Sequence, residues 1–320
     1  DYSQAVAEPN QKDEVQPYCT GLQAAMWRAV WDKSGKQVVR QPHSENSVYI
    51  LANYLIDAEN IPMLTVPGRA VFTRRSPQIE KAFAGSSERR QQFVKNLNLE
   101  KHPQIGKYIL QYFGCDGDGC QPLVAVYLSP KNELPIRQLS REELLLLCEQ
   151  AIPLEAEKRR QKIRGENRAY GKEAEEKWIK KFDEETLPRW KENIQKLRDQ
   201  YRNRLSSPAE LRNVNGVSIS TFETYNDIFA SETTKDNTYG VYTYSSDVLN
   251  KSKSDPPLWI CVSWKPTDAN YFPYEREIHR SMITHFNFDY LFAYFFHPES
   301  LKGKPYTPLK PEEFRKGPKI

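Results

Sequence analysis

The segment from Ser140 to Leu205 constrains the fold of this chain most, because it is almost free of glycine and crowded with charge of both signs. Ser140 with Glu143 three residues later is the capping-box pattern, which satisfies the exposed N–H groups of a first helical turn. Pro153 and Pro188 predict breaks or kinks farther along the segment. The sequence therefore predicts a long charged helical arm between two folded regions.

Three large aromatic residues on this arm favour a protein partner. Trp178 and Phe182 lie where the arm is charged nearly all round, and Trp190 opens an amphipathic stripe at spacings of three and four. A large aromatic side chain on an otherwise wet helix needs a surface to cover it, and exposed aromatic patches tend to be interaction sites. We therefore predict Trp178, Phe182 and Trp190 as partner-binding residues, together with Tyr306 in the C-terminal tail.

A second interpretation of the arm needs no partner. Ion pairs between residues four apart also stabilise a helix that is polar all round. The pairs Glu173–Lys177 and Glu176–Lys180 have the favourable orientation. In that case the arm is a solvated helical hairpin that folds against its own domain.

The arm divides a chain whose length predicts about two domains. Aromatic residues make up 12% of the 320 residues, which excludes a disordered chain. The predicted fold class is α+β. The predicted segments are a polar N-terminal arm (1–17), a mixed α/β domain (18–136), the charged helical arm (137–207), a β-rich domain (208–300) and an extended basic, proline-rich tail (301–320).

Apolar periodicity predicts the elements of the two folded regions. Spacings of three and four predict helices over Tyr18–Trp31 and Ser47–Ala58. Two β-like runs, Lys107–Phe113 and Leu123–Leu128, predict a hairpin. The C-terminal part is predicted to hold strands over Val217–Phe222, Tyr239–Tyr244 and Leu258–Trp264 and a helix over Glu275–Thr284.

The cysteines bear on the compartment. Five cysteines leave at least one thiol unpaired within the chain. Cys115 and Cys120 flank a Gly-rich turn that can bring their sulfurs together, so they are the disulfide candidate, and a disulfide implies an oxidising compartment. The alternative is two reduced cysteines beside a tight turn. The start at Asp1 rather than methionine also favours an exported protein, periplasmic or extracellular, with an organelle as the alternative.

The histidines offer one weak metal candidate. On a helix over Glu275–Thr284, Glu275 and His279 lie one turn apart, and His285 follows. The spacing does not match His-Glu-x-x-His, so the alternative is a packing region with satisfied histidines. The chain also lacks a Gly-x-Ser-x-Gly elbow and a phosphate-binding Gly-rich loop. We predict no cofactor and no bound metal.

The charge pattern restricts the partners. The 46 basic and 42 acidic residues give a net charge of +4 with both signs interleaved, so nucleic-acid binding is not expected. No run approaches the ~20 apolar residues of a membrane span. Basic pairs such as Arg159-Arg160 indicate a solvated face, or alternatively a contact with an anionic protein or lipid headgroups.

The preferred function is a non-catalytic structural or accessory subunit of a larger protein assembly. It would bind other protein subunits through the helical arm and the extended termini. One alternative is an enzyme with an interdomain site near His279 and His285. Another is an exported ligand-binding protein that presents an exposed aromatic groove near Tyr239, Tyr242 and Tyr244.

Overall fold

The computed structural model describes residues 19–31, 38–56, 69–75, 88–113, 123–212, 222–230, 238–253, 256–266 and 273–310. These residues form helices and antiparallel sheets, which confirms the predicted α+β fold. They belong to two compact units. Unit 1 combines Asp1–Ile56, Pro77–Pro135 and Ser246–Ile320, and unit 2 combines Asp57–Ser76 and Ile136–Ser245. Each unit is thus assembled from separated stretches, whereas the segments predicted from the sequence follow one another along the chain.

The described elements are numbered in chain order. The strands are β1 (Thr20–Trp31), β2 (Val38–Ala52), β3 (Val71–Arg75), β4 (Ile109–Phe113), β5 (Leu123–Leu128), β6 (Ile136–Gln138), β7 (Glu210–Arg212), β8 (Thr238–Tyr244) and β9 (Ile260–Trp264). The α-helices are α1 (Glu88–Leu97), α2 (Arg141–Asn167), α3 (Lys172–Lys181), α4 (Leu187–Gln200), α5 (Val248–Lys251), α6 (Pro273–Thr284) and α7 (Phe288–Phe296). A π-helical turn, Phe182–Thr186, joins α3 to α4.

Unit 1 is built on a five-stranded sheet in the order β1-β2-β9-β5-β4, with every neighbouring pair antiparallel. The predicted hairpin is confirmed as β4 and β5, which pair from Ile109 opposite Tyr127 to Phe113 opposite Leu123. The buried core combines Val262 and Trp264 of β9 with residues of α6 and α7, among them Phe288. The sheet and these two helices therefore share one core.

The predicted helices over Tyr18–Trp31 and Ser47–Ala58 are wrong, because both stretches lie largely in long strands. β1 and β2 pair with each other from Thr20 opposite Ala52 to Trp31 opposite Val38, with register shifts near Trp27. Val48, Ile50 and Ala52 pack against the core of unit 1, which is the alternation of a strand. The spacing of three and four that suggested a helix was coincidental.

The described part of the C-terminal tail lies along unit 1. The Leu309 N–H donates to the carbonyl oxygen of His285 at 2.9 Å, and the Tyr290 hydroxyl donates to the carbonyl oxygen of Lys304 at 3.0 Å. The Asn287 N–H donates to the Tyr306 hydroxyl at 3.2 Å. The rings of Tyr290 and Tyr306 meet edge to face with centroids 5.2 Å apart. The chain's own surface thus holds this extended segment.

Unit 2 contains a smaller sheet centred on β8. β3 pairs with one edge of β8 in an antiparallel register from Val71 opposite Thr243 to Arg75 opposite Tyr239. β6 and β7 also pair with β8, β6 near Tyr244 and β7 near Thr238. Because β3 already occupies one edge, β6 and β7 lie along the other edge.

The first helix of the arm begins as the sequence predicts. The Glu143 N–H donates to Ser140 Oγ at 3.2 Å, and the Ser140 N–H donates to Glu143 Oε2 at 2.9 Å, which confirms the capping box. Partial burial acts to raise the pKa of Glu143, but the Ser140 N–H and Arg137 outweigh it and hold that pKa below its ordinary value. Pro153 does not end the helix, because α2 continues to Asn167 and buries Ile152. The proline removes one backbone donor inside this helix.

The amphipathic stripe of α4 faces the core of unit 2. Trp190, Ile194 and Leu197 are buried together with residues of α2 and of the sheet, such as Leu144 and Val241. Arg198 of α4 forms ion pairs with Glu142 and Glu149 of α2, at 3.3 and 2.7 Å. The two longer helices of the arm are therefore joined to each other and to the sheet.

A buried arginine anchors the start of the arm. The Arg141 guanidinium lies 4.5 Å from the ring centroid of Tyr201 and 5.1 Å from that of Phe229, positions that favour cation–π attraction. The Tyr201 hydroxyl donates to Asp227 at 2.7 Å. Burial and this hydrogen bond raise the pKa of Tyr201 to about 12. Tyr201 therefore stays a hydrogen-bond donor at neutral pH.

None of the described helices is both long and apolar enough to cross a lipid bilayer.

Candidate partner-binding groove

A surface groove of 710 Å³ lies in unit 2 between the C-terminal half of α2 and the helices that return from it. The buried side chains of Ile163 and Phe182 line it, and the exposed side chains of Tyr170 and Trp178 line it as well. The groove therefore combines an apolar base with aromatic walls that solvent reaches.

A sharp reversal of the chain creates this groove. The Asn167 side chain donates to the carbonyl oxygen of Ile163 at 2.9 Å in the last turn of α2, and a 3-10 turn, Arg168–Tyr170, follows. Gly171 then adopts φ +89°, a conformation that L side chains rarely adopt. This glycine lets α3 return beside α2, with Trp178 lining the groove.

The predicted aromatic residues separate into core and surface. Phe182 and Trp190 are only 4% and 2% exposed and pack edge to face with ring centroids 5.3 Å apart. The core of unit 2 covers them, so these two side chains are not exposed to a partner. Trp178 is 47% exposed and Tyr170 is 78% exposed. Trp178 is therefore the predicted arm residue that remains accessible, and Tyr170 is an accessible aromatic residue that was not predicted.

Charged side chains surround the aromatic walls. Three cations, Arg159, Lys177 and Lys181, and two carboxylates, Glu166 and Glu223, line the groove. The Lys181 ammonium lies 5.3 Å from the ring centroid of Trp178. Among the described residues, no carboxylate forms an ion pair with any of these three cations within 4.0 Å. The groove is thus rimmed by three cations that form no ion pair within the described part of the chain, and they outnumber its two carboxylates.

The predicted ion pairs of α3 form with different partners. The sequence predicted Glu173–Lys177 and Glu176–Lys180, whereas the pairs observed are Lys172–Glu176 at 3.7 Å and Lys180–Glu184 at 3.9 Å. All four side chains of the observed pairs are largely exposed, so each pair contributes at most a few tenths of a kcal/mol. Lys177 therefore forms no ion pair within 4.0 Å with any carboxylate of the described residues.

Tyr306 combines an anchored hydroxyl with an accessible ring. Its hydroxyl accepts the hydrogen bond from Asn287, while 46% of the residue is exposed. It lies in unit 1, whereas Trp178 lies in unit 2.

The weak metal candidates do not converge in the described structure. His279 is buried, and its Nδ1 accepts a hydrogen bond from the Trp264 indole N–H at 3.1 Å. His285 Nδ1 lies 2.6 Å from the Thr284 hydroxyl. The side chain of Glu275 is outside the described residues. Among the residues that the structure describes, no three histidine, cysteine, aspartate or glutamate side chains group around one point.

A second cavity, of 470 Å³, lies in unit 1 beside Asp289. Lys107 forms an ion pair with Asp289 at 2.6 Å, and the Tyr108 hydroxyl donates to the same carboxylate at 2.8 Å. Burial and the neighbouring Asp289 raise the pKa of Tyr108, which therefore stays protonated. Lys107 and Tyr108 are thus both bound to Asp289 and form a satisfied polar cluster rather than an activated base.

The remaining predicted sites have different outcomes. Of the three tyrosines of the ligand-binding alternative, Tyr239 and Tyr244 are buried and Tyr242 is half-buried, so they form no fully exposed aromatic groove. Cys115 and Cys120 lie outside the described residues. Cys148 is buried, and burial raises its thiol pKa, so it is not an activated nucleophile.

Comparison of the chain with protein-family models, with curated proteins and with solved structures gives no match.

Proposed function

We propose that this protein is a non-catalytic accessory subunit that binds another protein chain through the helical arm of unit 2. The observation that carries the proposal is the half-exposed Trp178 on the wall of an apolar-based groove. Tryptophan, tyrosine and arginine are the residues most enriched at interaction hot spots, and Trp178, Tyr170 and Arg159 line this groove together.

The character of the groove favours a protein over a small molecule. Small-molecule sites bury most of the ligand surface and place only a few polar groups among apolar ones. Here Tyr170 is largely exposed and five charged side chains line the same surface. An apolar centre with a polar, solvent-accessible rim is the usual anatomy of a protein interface.

The packing of the arm suits a docking surface. The Arg160 guanidinium lies 2.9 Å from Asp183, so an ion pair ties α2 to the π-helical turn beside the groove. Phe182 is fixed in the core below Trp178. A surface that keeps its shape before binding loses less conformational entropy when a partner docks.

The extended C-terminal tail offers a second surface for a partner. The ring of Tyr306 stays half-exposed while its hydroxyl is anchored, so a neighbouring chain can cover it without releasing the tail. We propose the groove as the principal contact and the tail as an additional one.

The test combines mass spectrometry with cross-linking. Native mass spectrometry of the protein, purified gently from its source, should show it bound to other chains. A photoreactive benzoylphenylalanine in place of Trp178 should cross-link to one of those chains. The same substitution at Tyr294, which is 57% exposed in unit 1, serves as the control. A protein that remains monomeric, or an intact complex without an adduct at position 178, would contradict the proposal.

A further inference from the structure

We propose that the partner segment that occupies the groove of unit 2 is acidic: a peptide with aspartate or glutamate residues on either side of an apolar or aromatic side chain. The inference rests on the proposed function and adds the chemistry of the segment that binds.

The three cations of the groove rim lack ion-pair partners in the described part of the chain. Arg159, Lys177 and Lys181 have no carboxylate within 4.0 Å among the described residues. Two neighbouring cations that do not line the groove have such partners, Arg160 with Asp183 and Lys180 with Glu184. A partner carboxylate would give the three rim cations the ion pairs that the described structure does not supply.

The cations of the rim also lie beside the apolar surface of the groove. The Lys181 ammonium lies 5.3 Å from the Trp178 ring centroid, so a side chain that covers the ring comes close to this charge. Arg159 offers a planar guanidinium that binds a carboxylate in a bidentate manner. A segment that buries an apolar residue against Trp178 and carries carboxylates beside it satisfies both parts of the groove.

The two carboxylates that line the groove favour an acidic peptide over a polyanion as the ligand. Glu166 and Glu223 line the same groove, and Glu166 lies 3.7 Å from Lys162, which partly neutralises it. A nucleic acid or polyphosphate carries negative charge along its whole length and would meet both carboxylates. A peptide can place its acidic residues at the cations and leave neutral residues opposite Glu223.

The test uses three short fluorescein-labelled peptides with tryptophan and leucine at the same positions. The intervening residues are glutamate in the first peptide, glutamine in the second and lysine in the third. Fluorescence anisotropy with the full-length protein should show the acidic peptide binding about tenfold more tightly than the neutral one, which corresponds to about 0.5 kcal/mol from each of three exposed ion pairs. The preference should fall as salt rises from about 50 mM to about 500 mM, because salt screens exposed charges.

Charge-reversed variants assign the effect to the groove. R159E/K177E/K181E should abolish the preference for the acidic peptide. The control K172E/K180E/K196E makes the same change in net charge at exposed lysines that do not line the groove, and it should keep the preference. Equal loss in both variants would show that only the overall charge of the protein matters, and would overturn the proposal.

Two other outcomes separate this inference from the proposed function. If the neutral peptide binds as tightly as the acidic one, and Trp178→Ala weakens both, the groove is a docking site but its partner is not acidic. If no peptide binds and the cross-linker at position 178 captures no chain, the proposed function fails as well. Displacement of the acidic peptide by a lower concentration of single-stranded oligonucleotide would identify a polyanion as the ligand and overturn the proposal.

Discussion

Trp178→Ala should weaken partner binding strongly at a small cost in folding stability. The side chain of a tryptophan offers roughly 250 Å², and 47% of Trp178 is exposed. A partner that covers it therefore removes about 115 Å² of largely apolar surface from water, which at about 25 cal/mol/Å² contributes about 3 kcal/mol. That value corresponds to a loss of about 100-fold in affinity.

The cost to the fold should be much smaller, about 1 kcal/mol. Trp178 lines an open groove, so its removal leaves no closed cavity in unit 2. Phe182→Ala provides the contrast, because Phe182 is almost fully buried and its removal should lower the free energy of unfolding by about 3–5 kcal/mol. Urea unfolding followed by circular dichroism measures both costs, and anisotropy with the acidic peptide measures the affinity.

The result that refutes this reasoning is a Trp178→Ala variant that binds the acidic peptide within about twofold of the unmodified protein, when about 100-fold is expected. In that case the exposed face of Trp178 is not covered on binding. A loss of stability as large as that of Phe182→Ala would show instead that Trp178 belongs to the core of unit 2.

Three further predictions concern the arm and the tail. Pro153→Ala should raise the free energy of unfolding by about 1–2 kcal/mol in urea, because alanine restores a backbone donor inside α2; a decrease would show that the fold depends on the proline. Because the pKa of Glu143 is lower in the folded state, its contribution is complete above the unfolded pKa and is lost as pH falls through the folded pKa. Glu143→Gln should therefore make stability depend less on pH in the acid range, and an unchanged acid profile would contradict this. Tyr306→Phe removes the acceptor of the Asn287 N–H, so hydrogen exchange at Asn287 should accelerate, and unchanged protection would show that the tail is held otherwise.

Local sequence signals predicted the helical arm well. The pair Ser140 and Glu143 marks a helix start because the capping box involves only residues three apart. The stripe from Trp190 to Leu197 identifies a buried helix face by its period alone. The sequence could not show whether that face packs against the chain's own core or against a partner. Both kinds of packing require the same apolar stripe.

The sheet of unit 1 was predicted less well, because strand pairing depends on residues far apart in the chain. β2 pairs with β1 on one side and with β9, more distant in sequence, on the other. In the stretch from Val48 to Ala52 an alternating pattern and a helical pattern overlap, and pairing with β1 and β9 decides for the strand.

Part of the groove could be predicted from the sequence. Trp178 was predicted from its size on a charged helix, and the pair Arg159-Arg160 was noted as a candidate for an anionic partner. Which cations lack a carboxylate could not be predicted, because several pairings were open to each lysine. The sequence does carry one sign of the groove. The lining residues Arg159, Ile163, Glu166 and Tyr170 recur at helical spacing, which is typical of residues on one helix face.

The strand order of unit 1 also determines when its sheet can form during synthesis. β9 lies between β2 and β5, yet it follows every stretch of unit 2 along the chain. At about 5–20 residues per second, roughly 7 to 27 seconds separate the completion of β5 from that of β9 on the ribosome. Until β9 emerges, the β1–β2 and β4–β5 hairpins each present a strand edge without its partner, and open strand edges invite aggregation. A chain cut short after Ser245 therefore contains every residue of unit 2 but lacks the strand that joins the two hairpins of unit 1.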